Sequence, residues 1–103
     1  MGYHSQKIIS LIEEILPLLK IGNGGICLYY DEFYKNILER LRRPHELDKI
    51  ASDIQRTYGG MATFNDIALY QNGEILMDET DKFIDLRRAL YAACEEAILT
   101  FRK

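Results

Sequence analysis

Long apolar runs, close cysteine pairs and an excess of basic charge are all missing from this 103-residue chain. No stretch approaches the roughly 20 apolar residues that a membrane-spanning helix requires, so no membrane span is expected. The opening Met1-Gly2-Tyr3-His4-Ser5-Gln6 lacks the basic region, apolar run and small-residue cleavage site of a secretory signal. Gln6 also stands where an acylation pattern needs Ser or Thr. The two cysteines, Cys27 and Cys94, lie apart in apolar settings without a CxxC pair, which fits a reducing cytoplasm; a Cys27–Cys94 disulfide stays open on sequence alone. Thirteen Lys and Arg against 16 Asp and Glu give a net charge of −3. That balance supplies no general attraction to phosphate backbones, disfavours nucleic acid and suits a basic partner.

Catalytic signatures are missing as well. His4 and His45 are the only histidines, and no HxxxH or HExxH spacing occurs, so neither a metal nor a cofactor is expected. The adjacent acids Glu13-Glu14, Asp31-Glu32 and Glu95-Glu96 diverge by about 100° on a helix, so no pair converges on one substrate atom. A Cys–His nucleophile needs Cys27 or Cys94, and Cys94 falls on an apolar stripe where thiols are inert. Ile21-Gly22-Asn23-Gly24-Gly25 looks like a phosphate loop but lacks the GxxxxGK[ST] spacing and a preceding strand. These absences point to a protein that is not an enzyme.

What is present is helical periodicity. Ile8, Ile9, Leu11, Ile12, Ile15, Leu16 and Leu19 predict a helix over about 6–20, with Ser5 as N-cap and a kink or end near Leu16 imposed by Pro17. Tyr30, Phe33, Tyr34, Ile37, Leu38 and Leu41 predict a second helix over 28–41. After Arg42-Arg43-Pro44, Leu47, Ile50, Ala51, Ile54 and Tyr58 predict a third, with His45 in its first turn and Gly59 as a C′ stop. Asp78, Glu79, Thr80 and Asp81 are N-cap candidates for a fourth helix of about 23 residues, roughly 34 Å long, with Arg102 and Lys103 at its negative end. Between helices three and four, Asn72-Gly73 is a two-residue hairpin signal flanked by Ile67 and Leu69 on one side and Ile75 and Met77 on the other. The expected fold is mainly α: one domain of about four amphipathic helices in a bundle, with a short β-hairpin or irregular segment before the last.

The segment Gly59-Gly60-Met61-Ala62-Thr63-Phe64-Asn65-Asp66-Ile67 resembles the GGMGSFNDL-type motif of a family of small, uncharacterised, mostly helical bacterial proteins. Ala62 and Thr63 depart from the Gly and Ser common there. The resemblance, from about Leu28 to Phe101, implies helices on both sides of the motif and no particular activity. Gly59, Gly60, Met61, Phe64, Asn65 and Asp66 are read as a structural motif in which Asn65 and Asp66 make an Asx-type turn.

Two functional expectations follow. Asp78, Glu79, Asp81 and Asp85 form the densest acidic cluster, and seven tyrosines offer interface anchors, of which Tyr29, Tyr30, Tyr34 and Tyr70 are the foremost. Together they suggest a protein-binding protein, most concretely an immunity protein that blocks a basic, nuclease-like toxin domain. The alternative is a small-ligand or nucleotide-binding regulator that uses 59–73 as its pocket wall, with Met61, Asn65 and Asp66 facing the ligand. Arg40, Arg42, Arg43 and Lys35 make a smaller basic patch at the end of helix two, where cations suit the helix dipole without a ligand.

Overall fold

Four helices and one hairpin make up the chain in the computed structural model, which describes residues 2–22, 24–59, 64 and 67–101. They are α1 (Tyr3–Ile21), α2 (Gly25–Leu41), α3 (Leu47–Gln55), a single 3-10 turn (Arg56–Tyr58), β1 (Tyr70–Gln71), β2 (Glu74–Ile75) and α4 (Met77–Phe101). The helices pack into one bundle measuring 46 × 22 × 22 Å, so the mainly α architecture with a hairpin between α3 and α4 is the observed fold.

Each helix buries the stripe its periodicity defines. Ile8, Ile12, Ile15 and Leu19 of α1 meet Tyr34, Ile37 and Leu41 of α2, Ile50 and Ile54 of α3, and Phe83, Leu90, Cys94 and Ala97 of α4 in one core. Polar contacts give the helices their directions. Lys7–Glu96 and the His4–Thr100 hydrogen bond join the start of α1 to the end of α4, so those helices are antiparallel. Gln55 of α3 donates to the Tyr91 carbonyl and to Glu95 of α4. One end of the bundle therefore carries the α1–α2 turn, the hairpin and the start of α4. The opposite end carries the start of α1, the α2–α3 turn and the end of α4.

Several local expectations are corrected. Helix α1 runs through Pro17 instead of ending near Leu16. Pro17 is exposed, as is Glu13, whose carbonyl the proline deprives of a donor, while Leu18 and Leu19 of the final turn are buried in the core. Ser5 is not the N-cap, which is Gly2; Ser5 is buried and its hydroxyl donates to His45 Nε2 at 3.3 Å. That role follows because His45 Nδ1 donates to the Arg43 carbonyl at 2.7 Å, leaving Nε2 of the neutral ring as an acceptor. His45 thus precedes α3, whose N-cap is Glu46. Helix α2 starts at Gly25, not at 28, which shortens the glycine connector.

The third helix ends at Gln55 and tightens into the 3-10 turn, because Thr57 donates its hydroxyl to the Ile54 carbonyl at 2.7 Å. Gly59 follows with φ −112° and ψ 153°, extended backbone and not the left-handed C′ glycine expected. Helix α4 begins at Met77, with Asp78 and Glu79 inside its first turn and the Leu76 carbonyl accepting from Thr80 N–H. Arg102 and Lys103 lie outside the described residues. Cys27 and Cys94 are free and buried, so no disulfide joins them.

Phe64, the one described residue of its immediate segment, is completely buried. Its ring lies 4.8 Å from Tyr34, 5.2 Å from Tyr30, 5.3 Å from Phe83 and 5.4 Å from Tyr58, centroid to centroid. It therefore keys the segment before the hairpin into the aromatic part of the core. Phe64→Ala is expected to destabilise the fold by about 3–5 kcal/mol, read from urea unfolding; a loss below about 1 kcal/mol would remove Phe64 from this role.

Candidate functional site

The hairpin is built by its turn. Asn72 (φ 55°) and Gly73 (φ 82°) both occupy the left-handed region, the arrangement of a two-residue primed turn whose twist matches the strands. Tyr70 is paired with Ile75 and Gln71 with Glu74. The ladder is shorter than the pattern of apolar residues suggested. Ile67 and Leu69 turn into the core and Met77 already belongs to α4, so only two residues pair on each strand.

Thr80 holds this hairpin to the bundle. Its buried Oγ1 accepts from Leu69 N–H at 3.0 Å and donates to the Leu69 carbonyl at 3.5 Å, while Leu76 N–H donates to the same carbonyl at 2.8 Å. The residue expected as a helix cap is thus the clamp between helix and hairpin. Arg87, missed in reading the sequence, secures the preceding segment: its buried guanidinium donates through Nη1 to the carbonyls of Phe64 (3.2 Å) and Ile67 (3.3 Å) and lies 5.4 Å from the Phe83 ring centroid. The signal was present. Arg87 falls four residues after Phe83 and three before Leu90, squarely on the apolar stripe.

These anchors leave Tyr70 (46% exposed), Ile75 (43%) and Met77 (61%) standing out from the bundle end. Asp78, Asp81 and Asp85 follow at i, i+3 and i+7, a spacing that puts them on one face of α4, and all three are exposed. Glu79 sits about 100° around the helix and is half-buried, so it lies off that stripe. Among the described residues, none of these four acids forms an ion pair. Some acids elsewhere do, Glu13 with Arg42, Glu39 with Arg43, Asp53 with Arg40 and Arg56 and Glu96 with Lys7, whereas Glu14, Glu32, Asp48, Glu74 and Glu95 lack one like the α4 acids.

The tyrosines divide differently from expectation. Tyr34 is fully buried and Tyr30 nearly so, because both rings pack on Phe64; neither is available to anchor a partner. The Tyr34 hydroxyl donates to Thr57 Oγ1 at 3.3 Å. Tyr29 is exposed on α2, where it borders a surface pocket with Leu28 and Phe33. Of the four tyrosines singled out, Tyr29 and Tyr70 are therefore the exposed ones.

For the ligand-pocket alternative, Gly60, Met61, Asn65 and Asp66 lie outside the described residues. Gly59 is exposed and borders an open cleft of about 480 Å³ with Gln55, Tyr58, Arg88 and Tyr91. Among the described residues, no three His, Cys, Asp or Glu side chains converge on a common point. No helix among the described residues is long and apolar enough to cross a membrane. No known family, curated protein or solved structure matches the chain.

Burial sets the ionisation of the core. It raises the Cys27 thiol, pushes Cys94 up to about 12 and pushes the Tyr34 and Tyr58 phenols far above their ordinary value. The Tyr58 hydroxyl donates to the Arg87 carbonyl at 2.6 Å. In the unfolded chain these groups ionise near 9.0 for cysteine and 10.0 for tyrosine. Above pH 9 the folded state then holds more protons than the unfolded one, so their contribution to stability is complete below that pH and declines as pH rises.

Two measurements check this description. Urea midpoints should fall progressively from pH 9 to 10.5, and a midpoint that is unchanged at pH 10.5 would contradict the burial. Arg87→Met, which keeps the apolar stem but removes the donor to two carbonyls, should cost about 2–4 kcal/mol in the same assay; a loss within 0.5 kcal/mol, the range of an ordinary surface change, would show that the segment does not depend on it.

Proposed function

We propose that this chain is a non-enzymatic protein-binding protein whose hairpin end docks on a basic partner, most concretely as an immunity protein covering the substrate cleft of a nuclease-like toxin domain. One observation carries the reading. Tyr70 and its strand partner Ile75 are exposed, and exposed Met77 opens the helix that carries the acidic stripe Asp78, Asp81 and Asp85, which has no intramolecular cation partner among the described residues. Charges already paired within a protein have little left to offer a partner, whereas these acids project an unneutralised field. A toxin nuclease is basic where it holds phosphates, so such a stripe steers its approach while the exposed aromatic and aliphatic side chains supply desolvated contact.

Lys82 lies within the stripe, four residues after Asp78 and three before Asp85, and tempers the field without cancelling three carboxylates. The helix dipole also favours acids in the first turn of α4, which accounts for Asp78. It does not account for Asp85, two turns farther on.

The test is co-expression with the product of the neighbouring gene, reading growth rescue and co-purification. Rescue and a stable complex are expected. In that complex, Asp78→Asn with Asp81→Asn and Asp85→Asn should slow association about tenfold or more at low salt and flatten its salt dependence, and Tyr70→Ala should mainly speed dissociation. No rescue and no complex would sink the reading.

A further inference from the structure

The turn of the hairpin carries a chemistry of its own, separate from the acidic stripe that follows it. Asn72 and Gly73 are both exposed, and the Asn72 side-chain amide makes no hydrogen bond among the described residues. Gln71 and Glu74 face each other across the ladder. The Gly73 amide between them donates to no backbone acceptor among those residues. Both reacting groups of an asparagine–glycine pair are therefore untied.

That pair can react with itself. The Gly73 nitrogen adds to Asn72 Cγ and closes a five-membered imide; the N–Cγ bond forms, the Cγ–Nδ2 bond breaks, and Nδ2 leaves as ammonia with the amide proton. Water then opens the imide at either carbonyl. Addition at Cγ breaks the new bond and leaves an ordinary aspartate at position 72. Addition at the main-chain carbonyl carbon breaks the original peptide bond, so that the chain runs on through Cγ as isoaspartate, one methylene longer. Gly73 favours the first step because nothing shields its nitrogen: it has no side chain, and beyond its chain neighbours no heavy atom lies within 4 Å of where a Cβ would stand.

The fold decides how readily the reactive geometry is reached. Ring closure requires the peptide between 72 and 73 to rotate out of the primed turn, where Asn72 has φ 55° and Gly73 φ 82°. Only a ladder of two residues per strand opposes that rotation. Tyr70, Gln71, Glu74 and Ile75 are all exposed, so opening gives up little buried contact. The bonds of Leu69 with Thr80 and Leu76 anchor the base of the hairpin, beyond the ladder, and stay in place when the turn opens. Asn36 is the contrast: it lies inside α2 before buried, β-branched Ile37, where helical geometry and the following side chain keep the amide nitrogen from Cγ. Asn23 also precedes a glycine and lies outside the described residues.

We infer that Asn72 is a modification site, which deamidates spontaneously in the folded protein, and that its two products have opposite effects on the hairpin. Aspartate before glycine still suits a primed turn, so that product keeps the ladder and adds a negative charge beside Glu74. Isoaspartate lengthens a two-residue loop whose length fixes the register, so Tyr70 no longer opposes Ile75.

Ageing the full chain at pH 8.5 tests this, with peptide mapping by mass spectrometry to assign each asparagine and isoaspartyl methyltransferase to label the rearranged product. Asn72 is expected to convert at least tenfold faster than Asn36, and Gly73→Ala, which shields the nitrogen, should slow conversion at least fivefold. After separation by ion exchange, the aspartate fraction should keep the cross-strand Tyr70–Ile75 proton contacts in NMR spectra, with Asn72→Asp as its reference, and the isoaspartate fraction should lose them. Conversion of Asn72 no faster than of Asn36, a rate unchanged by Gly73→Ala, or an isoaspartate fraction with its ladder intact would each overturn the proposal. No partner takes part, so the result is read independently of complex formation by the hairpin end.

Discussion

The guanidinium of Arg87 is the constraint on which the rest of the structure depends. A long charged side chain on the buried stripe of α4 is expensive unless its donors are used, and Nη1 is used twice, on the carbonyls of Phe64 and Ile67. Those two bonds hold Phe64 and Ile67 against α4. With Phe64 held at its own carbonyl, its ring fills the space among Tyr30, Tyr34, Tyr58 and Phe83. With Ile67 fixed, Leu69 reaches Thr80 and the hairpin is clamped. Helix α4 also places Tyr58, whose hydroxyl reaches the backbone carbonyl of Arg87 itself. One position on α4 thus ties the 3-10 turn, the aromatic core and the base of the hairpin together.

Much of this was legible in the sequence because helical periodicity and turn chemistry are local. The stripes of α1 to α4 were read from three- and four-residue recurrences, and Asn72-Gly73 announced its turn because few dipeptides accept two left-handed residues in succession. Errors arose where a side chain served a distant element. Ser5 fits an N-cap by type, but His45, forty residues away, takes its hydroxyl. Thr80 fits a cap too, and serves Leu69 instead. Pro17 breaks helices by rule, but it lies on an exposed face near the end of α1, where burial of Leu18 and Leu19 keeps the last turn helical. Tyr30 and Tyr34 illustrate the same limit at the candidate site: nothing in their type separates an interface tyrosine from a core one, and Phe64 decides the matter through tertiary packing.

The arrangement divides the aromatic residues by function. Those whose hydroxyls find internal acceptors, Tyr34 on Thr57 and Tyr58 on the Arg87 carbonyl, belong to the core and stay protonated there. Tyr70 has no such acceptor among the described residues, projects from a turn that no core contact requires to be aromatic, and faces solvent beside Ile75. Leaving apolar side chains there costs solubility with no gain in packing, which supports the contact surface proposed above.

Such a surface must also avoid self-association, and the hairpin is built to avoid it. Unpaired strand edges recruit other strands, most readily when long, flat and uncharged. Here each strand pairs through only two residues, the primed turn twists them, Glu74 sits within β2 and Asp78 follows immediately on α4. A second copy approaching edge to edge would bring its own Glu74 and Asp78 against these, like charge against like. A basic partner meets no such repulsion. The same carboxylates that discourage pairing between copies favour an oppositely charged surface, so for the basic partner proposed above, discrimination would come as much from what the hairpin end repels as from what it attracts.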